Sequence, residues 1–415
     1  MIEVGYRGNM TDKKQTSRQN VKAPYRSHIN PKQLSEFLDG NGSLGNWKAV
    51  AEKFGYDWHA RKLTFDTHFL GHVLMQATAY ESTRDHQWAA QNDALFAAHG
   101  AAVDISVSGL AQANKNRPIE PYFVLMQQVM STVAELPHRR LRDLDKTTWQ
   151  GITNLLKRTD IFDATTLSLP PKLADWAPTP ADDQAAVKLQ MKIGGTSGHM
   201  KQILLTPATG NDSRYFDPLL GDLEAQEGKI FLFDAGYWRL ETYQDIVQAG
   251  HHFVTKRAGQ ISPRIVTERD LPEGGTASGY TVLQDAIVSL DDNEQTSYRM
   301  LRVRLTSDQE ITLITSLLDR EANDICLLYR YRWTIEIVFR WLKQTLSLDH
   351  MMSHDPTGIL RQILTALMMW GLLVIANQDD TPLSPKQLWR QLQADLHQAI
   401  LEFGFRLGLA HQHGP

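Results

Sequence analysis

The sequence predicts an α/β protein: a mixed sheet flanked by helices, with an inserted β subdomain and all-α N- and C-terminal regions. Three observations predict this class. Apolar residues follow a helical period up to about residue 158 and resume it from residue 317. Short apolar, β-branched runs dominate residues 159–256 and then alternate with helical segments. Across residues 257–316 the helical period nearly disappears and β patterns remain.

Size and composition indicate a soluble protein of two or three domains. The 415 residues are 42% hydrophobic and 22% charged, which is ordinary for globular chains. The formal net charge is -4, so any contact with nucleic acid has to come from local basic patches. The single cysteine, Cys326, excludes an internal disulfide and points to a reducing compartment.

No secretory or membrane-spanning segment is expected. The basic N-terminal residues are not followed by the apolar core of a signal peptide. The most apolar run, "ILTALMMWGLLVIA" at residues 363–376, is shorter than the ~20 residues that cross a bilayer. We interpret it as a helix buried in the protein core, and we expect a cytoplasmic protein.

The N-terminal part divides into a basic tail and a helical region. Residues 1–30 are polar with little to pack, which favours a disordered tail, the alternative being an arm that lies on phosphate. Residues 31–158 predict an all-α domain that could bind DNA. His68, His72 and His86 have no Cys or carboxylate partner at ligand spacing, so solvated or core-edge positions are favoured over metal binding.

The mixed sheet is predicted to begin near Asp160. The runs "DIFDATTLSL", "AAVKLQMKI" and "HMKQILLTP" predict three consecutive strands, and "KIFLFD" and "HHFVTK" predict two more. Helices are predicted over "DSRYFDPLLGDLEAQ" and "YWRLETYQDIVQA". Three strands followed by alternating helices and strands indicate a mixed sheet covered by helices.

Two aspartates stand within or at the end of these apolar strands. Asp163 follows Ile161 and Phe162, and Asp234 ends the strand "IFLFD". A carboxylate in such a position is costly unless it is hydrogen-bonded, paired or bound to a metal ion. Either aspartate alone could be a turn cap or a satisfied edge residue. Two of them on separate strands of one sheet favour a shared site.

A third acid, Glu336, lies in the amphipathic segment "YRYRWTIEIVFRWLK" at residues 329–343. At about 100° per residue, one edge of such a helix carries polar and aromatic side chains beside an apolar stripe. The alternative is a solvated charged face whose i,i+4 pair contributes a few tenths of a kcal/mol. The residues on or beside the polar edge are Tyr329, Arg332, Trp333, Glu336, Arg340 and Lys343.

The combination suits chemistry at phosphorus. Three carboxylates could hold two divalent ions, which activate a nucleophile and stabilise the leaving oxygen. Oxygen ligands and phosphate favour Mg²⁺, or Mn²⁺ in its place. Arg332 and Lys343 would hold phosphates beside the ions, and Tyr329 could donate a hydrogen bond to a phosphate oxygen. Trp333 could stack on an unpaired base.

The spacing Tyr329-x2-Arg332-x3-Glu336-x6-Lys343 resembles the Y-R-E-K signature of bacterial insertion-sequence DDE transposases. "FDATTLSL" looks like the strand that carries the first Asp in this family, and "FDAGYW" looks like the strand that carries the second. The order of the two aspartates, the β insertion and the glutamate helix also matches. The resemblance covers about residues 160–377.

The resemblance implies a ribonuclease-H-like catalytic core formed by residues 159–256 and 317–350. The β insertion would occupy residues 257–316, and helices would form the C-terminal residues 351–415. The metal triad would be Asp163, Asp234 and Glu336, with two Mg²⁺ ions per site. The expected DNA-contacting residues are Tyr329, Arg332, Trp333, Arg340 and Lys343.

The expected function is a DNA transposase. It would cleave at transposon terminal inverted repeats and transfer the strands into target DNA by a cut-and-paste route, as a homodimer associated with the bacterial nucleoid. Family members use an aromatic wedge from the β insertion to form a hairpin. This chain has no Trp between Trp238 and Trp333, and Tyr280 or Tyr298 could substitute.

Two other functions remain open at this level. One is a ribonuclease-H-like, structure-specific DNA nuclease that cuts without joining. The other is a non-catalytic DNA-binding regulator on the same scaffold, although an intact set of acids facing phosphate brings a pure binder no advantage.

Overall fold

The structure is a computed structural model that describes residues 47–376, with short gaps, and residue 387. The gaps are residues 59, 79, 99, 137–145, 174–176, 180–183, 225–227, 273–275, 278–279, 291–295, 347 and 349. The predicted basic tail 1–30, the first residues of the predicted helical region 31–158 and, apart from residue 387, the predicted C-terminal helical region after residue 376 therefore lie outside the described residues.

Helices fill the described part of the chain before the first strand. The helices are α1 (Trp47–Lys53), α2 (Phe65–Ala77), α3 (Thr83–Asn92), α4 (Ala94–Ala98), α5 (Val107–Asn116), α6 (Glu120–Glu135) and α7 (Lys146–Lys157). The side chains of Thr64, Ser82 and Ser106 each accept a hydrogen bond from a backbone N–H three residues later in the chain, which fixes the starts of α2, α3 and α5.

The described part of the chain then builds a 10-stranded sheet. The strands are β1 (Thr159–Leu169), β2 (Ala185–Gly194), β3 (Met200–Pro207), β4 (Ile230–Phe233), β5 (His252–Lys256), β6 (Arg264–Glu268), β7 (Thr276–Ala277), β8 (Tyr280–Ser289), β9 (Ser297–Arg304) and β10 (Glu310–Thr315).

The strand order is β3-β2-β1-β4-β5-β10-β9-β8-β6, and β7 pairs with β8. Strands β1 to β3 form an antiparallel meander, and β4 and β5 run parallel to β1. This is the predicted ribonuclease-H-like arrangement, so the predicted fold class is confirmed.

Strands β6 to β10 come from the segment predicted as a β insertion, residues 257–316. Within it, β10 pairs antiparallel with β5, so the strands of this segment extend the same sheet. A buried ion pair between Arg299 and Asp285 joins β9 to β8, with a shortest distance of 2.6 Å. Arg299 also donates to the backbone carbonyls of Leu318 and Arg320, which links these strands to the residues just before the next helix.

The later helices are α8 (Phe216–Leu220), α9 (Leu240–Gln248), α10 (Ala322–Tyr331), α11 (Trp333–Gln344) and α12 (Pro356–Ala376). The predicted helix over "DSRYFDPLLGDLEAQ" is too long. It consists of a 3-10 turn, Asp212–Tyr215, followed by α8. The helix ends because Gly221 adopts φ +74°, in the left-handed region that favours glycine.

Each face of the sheet covers its own hydrophobic core. Ile161 and Leu232 contribute to a core shared with the N-terminal helices, α11 and α12. Phe162, Phe231 and Phe233 contribute to a second core beneath α8 and α9. This alternation follows the two-residue period of strands. Asp163 therefore projects toward the face that α11 covers.

Helix α12 confirms the interpretation of residues 363–376 as a core helix. By length and composition it could cross a membrane, but 83% of its most apolar stretch is buried inside the protein. It packs closely on α6 at Gly371, where an added Cβ would lie only 2.5 Å from Cγ1 of Val129. Glycine at this position therefore permits the close approach of the two helices.

Three histidines of the helical region, His68, His72 and His86, are buried and not solvated. His68 lies between the Tyr56 hydroxyl, 2.7 Å from its Nδ1, and Asn114 Oδ1, 2.8 Å from its Nε2. His72 Nε2 lies 2.9 Å from the same Asn114 oxygen. Burial lowers the pKa of all three histidines, and it lowers that of His86 to about 4. They are core residues, so the predicted solvated or core-edge positions are wrong.

This buried cluster predicts sensitivity to acid. Between about pH 6.5 and 4, His86 is protonated in the unfolded chain but neutral in the folded one, so the unfolded state binds more protons. The free energy of unfolding should therefore fall as the pH falls, by about 3 kcal/mol from His86 alone. Urea unfolding at pH 7.5 and pH 4.5 measures this difference.

The control compares two substitutions. His86→Leu removes one buried titrating ring and should reduce the pH dependence of unfolding, with His68 and His72 keeping their share, whereas His354→Gln, at an exposed position, should leave the wild-type slope. Equal slopes in the wild type and in His86→Leu would show that this histidine does not carry the effect.

Candidate active site

Strand pairing places the two predicted aspartates side by side. In the parallel pair of β1 and β4, Ile161 lies opposite Leu232. Asp163 and Asp234 each stand two residues further along, at the same level of adjacent strands, which are spaced about 4.8 Å apart. Asp163 lies within β1, directly after four buried residues, and Asp234 directly follows β4, whose four residues are all buried.

Each aspartate is oriented by its own backbone. Asp163 Oδ1 accepts a hydrogen bond from the N–H of Ala164 at 2.8 Å, and Asp234 Oδ1 accepts one from the N–H of Ala235 at 2.7 Å. The pKa of Asp163 is raised to about 6, chiefly by burial; the Ala164 amide and Arg332 lower it, and the charges of Asp234 and Glu336 raise it. The site thus concentrates negative charge at one place.

Arg332 connects the third acid to this pair. Its Nη2 donates to Glu336 Oε1 at 2.6 Å, and its Nη1 donates to Asp163 Oδ2 at 3.2 Å. The guanidinium carbon lies 5.5 Å from the centre of the Tyr329 ring. Only 8% of the Arg332 side chain is exposed, so a buried cation stands between two of the three acids.

The predicted amphipathic helix is divided in two. Helix α10 ends at Tyr331, α11 begins at Trp333, and Arg332 lies at the junction, where its N–H bonds to the carbonyl of Tyr329. Arg332 and Glu336 remain one turn apart and share the polar edge. The apolar stripe is buried as predicted; it comprises Leu328, Ile335, Val338, Phe339, Leu342 and Leu346.

The predicted DNA-contacting residues differ in exposure. Tyr329 is buried behind Arg332, whereas 52% of Trp333 and 48% of the neighbouring Ile337 are exposed. Arg340 is exposed on the next turn, and Lys343 is half-buried. An exposed aromatic–aliphatic pair therefore lies beside Glu336, with cationic side chains further along α11.

The two tyrosines considered as a wedge lie in different places. Tyr298 is fully buried in the second core, with its ring centre 5.9 Å from that of Phe253. Tyr280 is half-buried at the start of β8, and its pKa is raised, mainly by burial, although the guanidinium groups of Arg330 and Arg332 oppose this. Tyr280 therefore lies within electrostatic reach of Arg332.

The sequence analysis missed a polar cluster behind the turn that follows Asp234. Gln190, Asp212 and Tyr237 are hydrogen-bonded there, in contact with the second core. The signal in the sequence was a glutamine inside the otherwise apolar run "AAVKLQMKI", since an uncharged polar residue buried in a central strand needs a partner.

The donor set of the three acids suits a divalent ion. All three offer carboxylate oxygens, and burial is the main cause of the raised pKa of Asp163, even with Arg332 beside it. Within the described part of the chain, however, no three His, Cys, Asp or Glu side chains converge closely enough to hold an ion as they stand. Arg332 occupies the space between Asp163 and Glu336.

Comparison with known proteins gives one family. A family model described as "Transposase DDE domain" matches residues 156–372, more than half of the chain. A protein of Sinorhizobium fredii named as the transposase y4zB is 27% identical over 271 residues, covering 64% of this chain and 70% of that protein. A protein of Geobacillus stearothermophilus, named as a transposase for insertion sequence element IS5377, is 22% identical over 332 residues, covering 78% of this chain and 79% of that protein.

A solved structure shows a more distant likeness. The piggyBac transposase in its synaptic complex with hairpin DNA aligns over 93% of this chain and 83% of its own, with 10% sequence identity and a TM-score of 0.43. A likeness at this level supports no statement about the site of this chain.

Proposed function

This chain belongs to the transposase DDE domain family, and on that premise we propose that it is a DNA transposase that cleaves at transposon ends and joins them to target DNA. The observation that carries the proposal is the placement of two aspartates side by side, with one arginine that contacts both an aspartate and the glutamate of α11. Asp163 lies beside Asp234, and Arg332 pairs with Asp163 and with Glu336. Family membership alone does not require this arrangement.

The proposed metal ligands are Asp163, Asp234 and Glu336. When bound, two Mg²⁺ ions, or Mn²⁺, would supply activation of the attacking oxygen and stabilisation of the leaving oxygen. The protein contributes the alignment: the amides of Ala164 and Ala235 orient the two aspartates before any ion arrives. The buried sheet beneath them fixes their separation.

Arg332 is proposed to change partners when DNA binds. In the free protein its guanidinium neutralises Asp163 and Glu336. A phosphate group of the transposon end offers two non-bridging oxygens to this planar, two-pronged donor. Releasing the two carboxylates would let them take part in binding metal, so DNA binding and metal binding should favour each other.

The remaining contacts are proposed from exposure and charge. Trp333 is exposed enough to stack on a base, Arg340 and Lys343 extend the cationic edge of α11, and Tyr329 supports Arg332 from behind. We also propose that residues 31–158 help to bind DNA. The assembly would be a homodimer that pairs two inverted repeats in the cytoplasm, at the nucleoid.

The direct test uses DNA that carries the inverted repeats flanking the gene of this protein. Incubation with Mg²⁺ should produce breaks at the repeat boundary, and a chelator should abolish them. Breaks at unrelated positions, or none with either Mg²⁺ or Mn²⁺, would count against the proposal.

Binding to the ends should depend strongly on salt. The chain has a formal net charge of -4, so phosphate contacts must come from local cations such as Arg332, Arg340 and Lys343. Each neutralised phosphate releases counterions, and the logarithm of affinity should fall by about 0.9 per contact for each tenfold rise in salt. Arg340→Gln should reduce this slope by about one contact. A slope near zero in the wild type would contradict phosphate recognition.

A further inference from the structure

A polar network lies directly behind the turn that carries Asp234. We call it the Gln190 network, and it comprises Lys188, Gln190, Asp212 and Tyr237. The Tyr237 hydroxyl donates to Gln190 Oε1 at 2.6 Å, and Gln190 Nε2 donates to Asp212 Oδ1 at 2.7 Å. Lys188 Nζ donates to the same Asp212 oxygen at 2.9 Å. The network therefore links β2, the turn after β3 and the turn after β4.

Its members are held in place by burial. Gln190 is fully buried, Tyr237 is 1% exposed, and the Tyr237 ring centre lies 5.2 Å from that of Phe216. Gln190 stands opposite Ala164 on β1, one residue after Asp163 and therefore on the other face of the sheet. The network supports the site from behind and does not line it.

The network acts on a short segment. Asp234 caps the 3-10 turn Ala235–Tyr237, so only two residues separate it from the anchored tyrosine. Asp212 also closes against this turn, because an added Cβ on Gly236 would lie 3.6 Å from its Oδ2. Without the anchor, the turn would keep its backbone bond at Asp234 but lose the hydrogen bond that holds its far end.

We propose that Gln190, Asp212 and Tyr237 are positioning residues that hold the Asp234 turn, and so keep the Asp234 carboxylate aligned with Asp163. The consequence for metal binding rests on the proposed function; the consequence for the turn itself does not. An unpaired buried amide is costly, so the network should act as a unit in which loss of any one link loosens the turn.

The first test needs neither metal nor DNA. Amide hydrogen exchange across residues 234–238 should become at least roughly tenfold faster in Tyr237→Phe, which removes only the hydroxyl. Tyr243→Phe is the matched control: it deletes a hydroxyl from another fully buried tyrosine of the second core, outside the network. Exchange unchanged in Tyr237→Phe, or equally accelerated in both variants, would overturn the proposal.

The second test measures Mn²⁺ binding directly, by titration of the protein bound to pre-cut end DNA. Tyr237→Phe should raise the Mn²⁺ dissociation constant roughly tenfold, with end affinity unchanged. Combining Tyr237→Phe with Gln190→Leu should add little, because both break the same link. If the wild type and Asp234→Asn bound Mn²⁺ with equal affinity, the proposed function would fail. The hydrogen-exchange test would still decide whether the Gln190 network holds the Asp234 turn.

Asp212 provides the test of positioning against charge. Asp212→Asn keeps an oxygen that can accept from Gln190 and Lys188, whereas Asp212→Ala leaves the buried Gln190 amide without an acceptor. If Asp212 is a positioning residue, the Mn²⁺ dissociation constant should stay within about threefold of wild type in Asp212→Asn and rise about tenfold in Asp212→Ala. Equal losses in both would show that Asp212 acts through its charge, and would overturn its assignment as a positioning residue.

Discussion

Asp234→Asn should lower Mg²⁺-dependent cleavage at the transposon ends by at least roughly 10³-fold, equivalent to about 4 kcal/mol of transition-state stabilisation. The substitution keeps the size of the side chain and the oxygen that accepts from the Ala235 amide. It removes the negative charge that a divalent ion requires. Affinity for end DNA should be unchanged or higher, because one fewer acid faces phosphate.

The separation of binding from cleavage makes this prediction specific. Asp245→Asn makes the same chemical change at an exposed position on α9 and should leave both quantities at wild-type level. Asp163→Asn and Glu336→Gln should reproduce the loss of cleavage. Cleavage by Asp234→Asn within tenfold of the wild type would remove this residue from the proposed triad.

Arg332→Gln should weaken binding to end DNA by roughly 10- to 100-fold, the usual effect of losing a charge-assisted hydrogen bond to a charged acceptor. Two causes act in the same direction. The phosphate loses its guanidinium partner, and Asp163 and Glu336 lose the cation that neutralises them. The uncompensated acids then repel the DNA backbone. Fluorescence anisotropy with a labelled inverted repeat measures the affinity.

Two further variants identify the cause. Arg332→Lys keeps the charge but not the two-pronged geometry, so it should recover only part of the lost affinity. Arg304→Gln removes an exposed arginine from β9 and should have little effect. If Arg332→Gln bound DNA as well as the wild type, Arg332 would be only an internal partner for the two acids.

Much of the catalytic region could be predicted from the sequence because its signals are local. The strand around Asp163 and the strand before Asp234 each contain an apolar run with an acid directly after it, and both strands form as predicted. The buried stripe around Ile335 follows directly from helical periodicity. The predicted family is confirmed by the family model that matches residues 156–372, whereas the spacing of residues in α10 and α11 does not reveal the helix break at Arg332.

What the sequence could not reveal depends on contacts between distant segments. Arg332 reaches Asp163 across 169 positions of the chain, and Tyr237 reaches Gln190 across 47. No local pattern shows that β10 would pair with β5 and extend the sheet. Likewise, the buried state of His68 and His72 arises from packing that brings α2 against Asn114 of α5.

The measurement that tests the central claim most directly is strand transfer with a pre-cut transposon end and a target plasmid. The wild-type protein should join the free 3′ end to the target in Mg²⁺, and Glu336→Gln should bind the same end without producing joined DNA. Joined product from Glu336→Gln at the wild-type rate would contradict the three-acid site. Cutting by the wild type without any joining would identify a nuclease, and binding with neither reaction in Mg²⁺ or Mn²⁺ would identify a regulator.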